Sequence, residues 1–260
     1  MTEDLSEQVA LVTGAARGIG RAIAHQIAKQ GADVAVADLR ADQLKETVSL
    51  VEQTGRRAIA LTVDVTKLPD VERMIEETVR QLGRLDILFN NAGVIKIHDP
   101  LSVTEADWDQ VMDVNAKAVF FCAQAAGRHM LENSGGKIIN TASIAARVGT
   151  PDSVAYGASK AAVMSITRSL GLAWARKGVA VNAIAPGMVD TDMWAQIDEE
   201  TAEMRGLKRG EPKARRIRHI TNGRAATPEN VAAMAGFLAS PAADHITAQT
   251  FNVDGGDVPS

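Results

Sequence analysis

The feature that most constrains this chain is its opening: an apolar run, Val9-Ala10-Leu11-Val12-Thr13, that passes directly into a glycine turn, Gly14-Ala15-Ala16-Arg17-Gly18-Ile19-Gly20. A β-branched stretch that is apolar throughout reads as a strand buried on both faces, the pattern of a parallel sheet. After the turn, Ile19, Ala22, Ile23 and Ile27 fall largely on one helical face over residues 18–30, and Gly31 closes the helix. The alternation persists. Further strands are expected at 34–38, 58–63, 86–90, 137–141, 179–184 and 249–253, with helices at 42–53, 68–82, 108–131, 153–177 and 228–238. Strand and helix alternating along a whole chain imply an α/β fold: a doubly wound, Rossmann-type parallel sheet with helices on both faces.

Composition excludes several classes of protein. The 260 residues suit one large α/β domain spanning 1–260, and no Pro/Ser-rich linker or shift in composition divides them. A net charge of -4 offers no electrostatic footprint for nucleic acid. No apolar run approaches the roughly 20 residues needed to span a bilayer, and the polar start MTEDLSEQ resembles no targeting segment, so a cytoplasmic protein is expected. The single cysteine, Cys122, excludes an intrachain disulfide, and five scattered histidines show no ligand spacing, so no metal is expected. One segment breaks the rhythm. Residues 188–222 are long, polar and basic towards their end, and insertions of this length in compact domains are usually functional, so a lid over substrate is expected there.

The glycine turn allows a pyrophosphate to rest on the N-terminus of the first helix, with Gly14, Gly18 and Gly20 letting the backbone approach it. Asp38 ends the second strand 18 positions beyond Gly20, close to where a dinucleotide fold places the acid that binds the adenosine ribose. That carboxylate would repel a 2'-phosphate and favour NAD over NADP, although Arg17 and Arg40 could each reach a phosphate. Asp64-Val65, ending the third strand, reads equally as an adenine contact or as the approach to the helix at Leu68.

At the other end of the chemistry, Tyr156 and Lys160 share one face of the 153–177 helix. An ammonium beside a phenol stabilises the phenolate and lowers a pKa that is otherwise near 10. Ser143 follows the 137–141 strand, placing its hydroxyl at the C-terminal sheet edge where ligands of such sheets bind. Together with NNAG at 90–93, Asn115, YGASK at 156–160, Pro186-Gly187 and the tail NVDGG at 252–256, these motifs resemble the short-chain dehydrogenase/reductase family in order and spacing over nearly the whole chain.

The resemblance implies an NAD-dependent oxidoreductase that interconverts a secondary alcohol and a ketone. Tyr156 would give or take the substrate proton, Lys160 would lower its pKa and hold the nicotinamide ribose, Ser143 would bond the substrate oxygen, and Asn115 would anchor a relay water. Gly14, Arg17, Gly18, Ile19, Gly20, Asp38, Asp64, Val65, Asn91, Ala92, Gly93, Pro186, Gly187, Val189 and Thr191 would bind the cofactor. Ser143, Ile144, Ala145, Tyr156, Met188, Met193 and Trp194 would meet the substrate, and a homotetramer is implied.

The C-terminal third is similar to the bacterial polyol (sorbitol, galactitol) dehydrogenases, which points to a sugar alcohol and a ketose. Ile144 and Thr150 depart from the polar residues of those enzymes, and an apolar Ile144 would leave a hydroxyl unpaired unless Arg147 or Asp152 compensates. The alternatives are a reductase of a less polar ketone or 3-oxoacyl ester, and a non-catalytic NAD-binding scaffold. The basic run Lys208 to Arg218 could bind an anionic substrate such as a phosphate or coenzyme A ester, but with Glu203 and Glu211 interleaved a solvated helical face is the favoured reading.

Overall fold

A computed structural model describes residues 4–133 and 135–259. Seven parallel strands, β1 (Val9–Thr13), β2 (Asp33–Asp38), β3 (Ala58–Thr62), β4 (Ile87–Asn90), β5 (Gly136–Thr141), β6 (Val179–Pro186) and β7 (Thr250–Val253), form one sheet in the order β3-β2-β1-β4-β5-β6-β7. The expected doubly wound architecture is present as a single domain. Its strand order reverses between β1 and β4, which opens a crevice at their C-terminal ends.

Side-chain alternation along β1 builds a core on each face of the sheet. Ala10 and Val12 pack with Ile23 and Ile27 of α1 (Gly18–Lys29) and with Val231 and Leu238 of α9 (Pro228–Ala239). Val9 and Leu11 face Val71 and Met74 of α3 (Leu68–Leu82) and Cys122 and Met130 of α5 (Ala118–Glu132). The remaining flanking helices are α2 (Ala41–Glu52) and α6 (Val154–Trp174). No helix among the described residues is long and apolar enough to cross a membrane.

Two segments differ from the sequence-based expectation. The helix expected over 108–131 begins earlier, as α4 (Glu105–Met112), because the Thr104 hydroxyl caps it by accepting from Asp107 N–H at 3.1 Å. It then passes through a π-helical turn, Asp113–Lys117, before α5. The 188–222 segment holds two helices, α7 (Asp192–Arg205) and α8 (Glu211–His219), rather than irregular chain. Asp198 on α7 explains the pairing of the two. Its buried carboxylate accepts the Gly210 and Lys213 N–H groups at 2.6 and 2.8 Å, supplying negative charge to the first turn of α8.

Candidate active site

Both turns that border the crevice are locked to each other through backbone. Gly14 takes φ +64°, and a Cβ there would lie 2.8 Å from Ala92 Cα; at Gly20 a Cβ would press on the Gly14 carbonyl and lie 2.6 Å from Asn91 Nδ2. Asn91 Nδ2 donates to Thr13 O and Gly14 O at 3.1 and 3.2 Å, while the Thr13 hydroxyl accepts from Asn91 and Ala92 N–H. The residues after β1 and β4 therefore form one cradle in which side chains have been omitted to bring main chain close.

Asp38 lies beside this cradle. Its carboxylate accepts Ala16 N–H and Arg40 N–H, each at 3.2 Å, and the Arg40 guanidinium stands 3.6 Å away. Arg17 is engaged instead with Asp192 at the start of α7, at 2.8 Å. Asp64 accepts from Thr66 N–H and Oγ1 at 3.0 and 2.7 Å, the turn that leads into α3. It also lines the cavity with Val65.

A single cavity of about 1140 Å³ joins this cradle to Ser143, Tyr156 and Lys160. All residues expected at the cofactor end, apart from the inward-facing Gly20, line it, as do Ile144, Ala145, Met188, Met193 and Trp194. Gly14, Arg17, Gly18 and Ile19, at the N-terminus of α1, line this cavity, and the phosphates of a dinucleotide would fit there against main chain.

Asn115 does not line the cavity. It is fully buried in the π-helical turn, where Nδ2 donates to Val94 O and Ser159 Oγ and Oδ1 accepts Val94 N–H at 2.9 Å. Gly187 is confined from behind as well: a Cβ there would meet Asp254 Cβ at 2.7 Å.

The Lys160 ammonium donates to Thr141 O at 2.8 Å and stands 5.7 Å from the centre of the Tyr156 ring. Burial brings its pKa down to about 8. Burial also pushes the Tyr156 phenol above its ordinary value, and a hydrogen bond from Ser143 pulls it partway back. Withdrawal from water is the larger cause at Tyr156, and the Ser143 bond is the one that opposes it. Ser143 has a second bond, accepting Ala145 N–H at 3.2 Å.

Sequence reasoning passed over several residues on the cavity, among them Ile97, Gln110 and Arg205. No local signal marks them, since each arrives from a loop or helix distant in sequence. Arg147, considered as a substrate contact, points elsewhere, donating to Asn252 Oδ1 and Thr250 O at 2.9 and 3.0 Å.

A serine, a tyrosine and a lysine at one end of a cavity whose other end is a glycine turn at a helix N-terminus form the arrangement that a nicotinamide-dependent oxidoreductase requires. A family model described as enoyl-(acyl carrier protein) reductase matches residues 14–257. The chain is 44% identical over 252 residues to an L-2,3-butanediol dehydrogenase of Corynebacterium glutamicum, covering 96% of this chain and 98% of the relative. It is 42% identical over 254 residues to a galactitol 2-dehydrogenase of Agrobacterium fabrum, covering 97% and 98%. A solved structure from Beutenbergia cavernae with NADP bound at low occupancy shares the fold with a TM-score of 0.90 and 37% identity, each chain covered fully. The chain belongs to the short-chain dehydrogenase/reductase family.

Proposed function

We propose that the protein oxidises a neutral polyol to the corresponding ketone with NAD, a sugar alcohol giving a ketose, and runs the reverse reduction when proton supply favours it. The observation that carries this reading is the meeting of Ser143, Tyr156 and Lys160 on the cavity that the glycine cradle opens. Relatives named for butanediol and galactitol support the substrate class. Asp38 supports NAD, because its carboxylate would face a 2'-phosphate at short range; the NADP in the Beutenbergia structure belongs to that protein.

Bound in the groove, the nicotinamide ring supplies the acceptor or donor of the hydride. Ser143 holds the substrate oxygen, and Tyr156 removes its hydroxyl proton in oxidation or protonates the alkoxide in reduction. Lys160, cationic below about pH 8, steadies the phenolate and holds the nicotinamide ribose. Buried Asn115 would keep the loop after β4 and a relay water in place. Helices α7 and α8 form the lid, with Met193 and Trp194 on the cavity.

A second reading has its own observation. Ile144 is buried on the cavity wall, and an apolar wall suits a short vicinal diol better than a hexitol. The basic run gives the 3-oxoacyl alternative little support, because Lys213 pairs with Asp190, Arg215 with Glu211 and Arg216 with Asp257. A cytoplasmic homotetramer completes the proposal; exposed Trp108 and Leu172 on α4 and α6 supply apolar surface for packing.

The test is a panel of hexitols, pentitols, butane-2,3-diol and 2-alkanols at alkaline pH with NAD and with NADP, repeated with Tyr156→Phe. NAD-linked turnover is expected, and the variant should lose about 100- to 10,000-fold in kcat. Equal kcat/KM with both cofactors would overturn the Asp38 argument. Unchanged turnover in the variant would remove Tyr156 from the chemistry. Tight NAD binding without turnover of any alcohol or ketone would leave the scaffold reading.

A further inference from the structure

Asp152 and Arg205 have no role in the reaction above, yet both line the cavity that holds Ser143 and Tyr156. Asp152 stands four positions before Tyr156, and its carbonyl accepts His98 N–H at 2.9 Å, which ties the approach to α6 against the loop after β4. Arg205 is the last residue of α7. The two meet in an ion pair through Asp152 Oδ2, with the acid 23% and the arginine 46% exposed. Among the described residues nothing donates to Asp152 Oδ1, which leaves one carboxylate oxygen free to accept a hydroxyl.

The α8 arginines on the cavity are likewise taken. Arg215 is bound to Glu211 at 2.6 Å, and Arg216 to the nearly buried Asp257. A substrate carboxylate entering here would meet an arginine whose charge is already balanced and would face the Asp152 carboxylate beside it. An uncharged hydroxyl can donate to Asp152 Oδ1 with the pair intact. Discrimination of this kind rests on an unfavourable contact for the wrong ligand as much as on a good one for the right ligand.

We propose that Asp152 determines specificity by occupying Arg205, so that the site takes neutral alcohols and turns away hydroxy acids. The proposal rests on the dehydrogenase reading for its substrate class, though not for its binding test. Asp152 acts here on charge, and Arg205 is the group it withholds.

The experiment compares wild type, Asp152→Asn, and Asp152→Asn with Arg205→Gln, with Asp152→Ser as a second single variant should Asn fold poorly. Matched probes are butane-2,3-diol against 3-hydroxybutyrate, and sorbitol against gluconate. Two readouts are taken: kcat/KM for each probe, and the rise in Tm that each acid gives to the enzyme saturated with NAD. Freeing Arg205 should move the acid-to-neutral ratio of kcat/KM towards the acid by about two- to fivefold, the scale of one partly exposed charge pair. The acids should raise Tm in the single variants alone, and the double variant should lose both gains.

An equal fall in kcat/KM for acid and neutral probes, with no gain in acid binding, would show a structural role and overturn the proposal. Wild type binding the acids as well as the variants would also overturn it. Absence of turnover with every neutral alcohol would sink the dehydrogenase reading instead, and the Tm measurements would still decide this one.

Discussion

The glycine cradle and the two helices beside the same cavity, α7 and α8, are built by opposite means. In the cradle, main chain touches main chain: Gly14, Gly20 and the Asn91 amide leave no freedom without opening the core beneath β1 and β4. In α7–α8 the only buried side chains are Asp198 and Ala202, and attachment to the body runs through ion pairs such as Arg17–Asp192 at 2.8 Å and Lys213–Asp190 at 2.7 Å. Exposed pairs of this kind are worth about 0–1 kcal/mol each. The cradle is therefore committed on folding, while the helices can detach locally at small cost. The contrast extends to cations. Lys160 is buried and has no carboxylate partner among the described residues, whereas Arg205, Lys213, Arg215 and Arg216 are more exposed and all paired.

The largest expected effect breaks the comparison at Lys160. Its pKa is about 8 in the folded protein and 10.5 in the free side chain, so the unfolded state binds the extra proton between those values. Wild-type stability should then rise with pH from about 8 to 10.5, because the cost of burying the charge is complete below 8 and gone above 10.5. Lys160→Met carries no such cost, so its advantage over wild type should shrink by up to about 3 kcal/mol across that window, read from urea unfolding at each pH. A pH-independent difference would mean that the ammonium is not desolvated.

Next in size, Gly14→Ala forces a Cβ onto a left-handed residue facing Ala92, and should cost about 1–3 kcal/mol of stability and weaken NAD binding. Thermal unfolding and NAD titration would measure the two losses. A variant that kept full affinity would show the cradle to be softer than its packing implies.

The smallest effect belongs to the helices. Raising NaCl to about 0.5 M screens exposed pairs and should quicken amide exchange in α7 and α8 by about two- to fivefold, leaving β1 and β4 unchanged. Equal acceleration in both regions would erase the distinction.

Legibility in the sequence follows the same division. The cradle is written in neighbouring residues: an apolar strand, glycines at 14, 18 and 20, and an acid at 38, each with a local physical reason. Tyr156 and Lys160 are legible because four positions on a helix are one turn. The sign of the Tyr156 shift is not, since burial depends on everything packed around it. The π-helical turn at Asp113–Lys117 leaves the apolar periodicity of 108–131 intact, so nothing local announces it. Helices α7 and α8 read as loop because what holds them lies elsewhere: Asp198 caps α8 from 12 residues away, and Arg205 meets Asp152 across 53. The direction of Arg147 is not legible for the same reason, its partner Asn252 lying 105 positions on.

The close approach of Gly187 to Asp254 bears on how the enzyme can be handled. Asp254 accepts N–H groups from Gly256 and Val258 at 3.0 and 2.9 Å, and Arg216 grips Asp257, so residues 252–258 are wedged behind the segment that follows β6. A purification handle or surface anchor fused after Val258 would pull on that wedge, which backs directly on Gly187 of the cavity wall. Fusion before Leu5 would pull on nothing closer to the chemistry than the base of β1. Immobilised or tagged preparations should therefore be attached at the amino end, and a preparation tagged at the other end should be compared with an untagged one before its kinetics are taken as the protein's own.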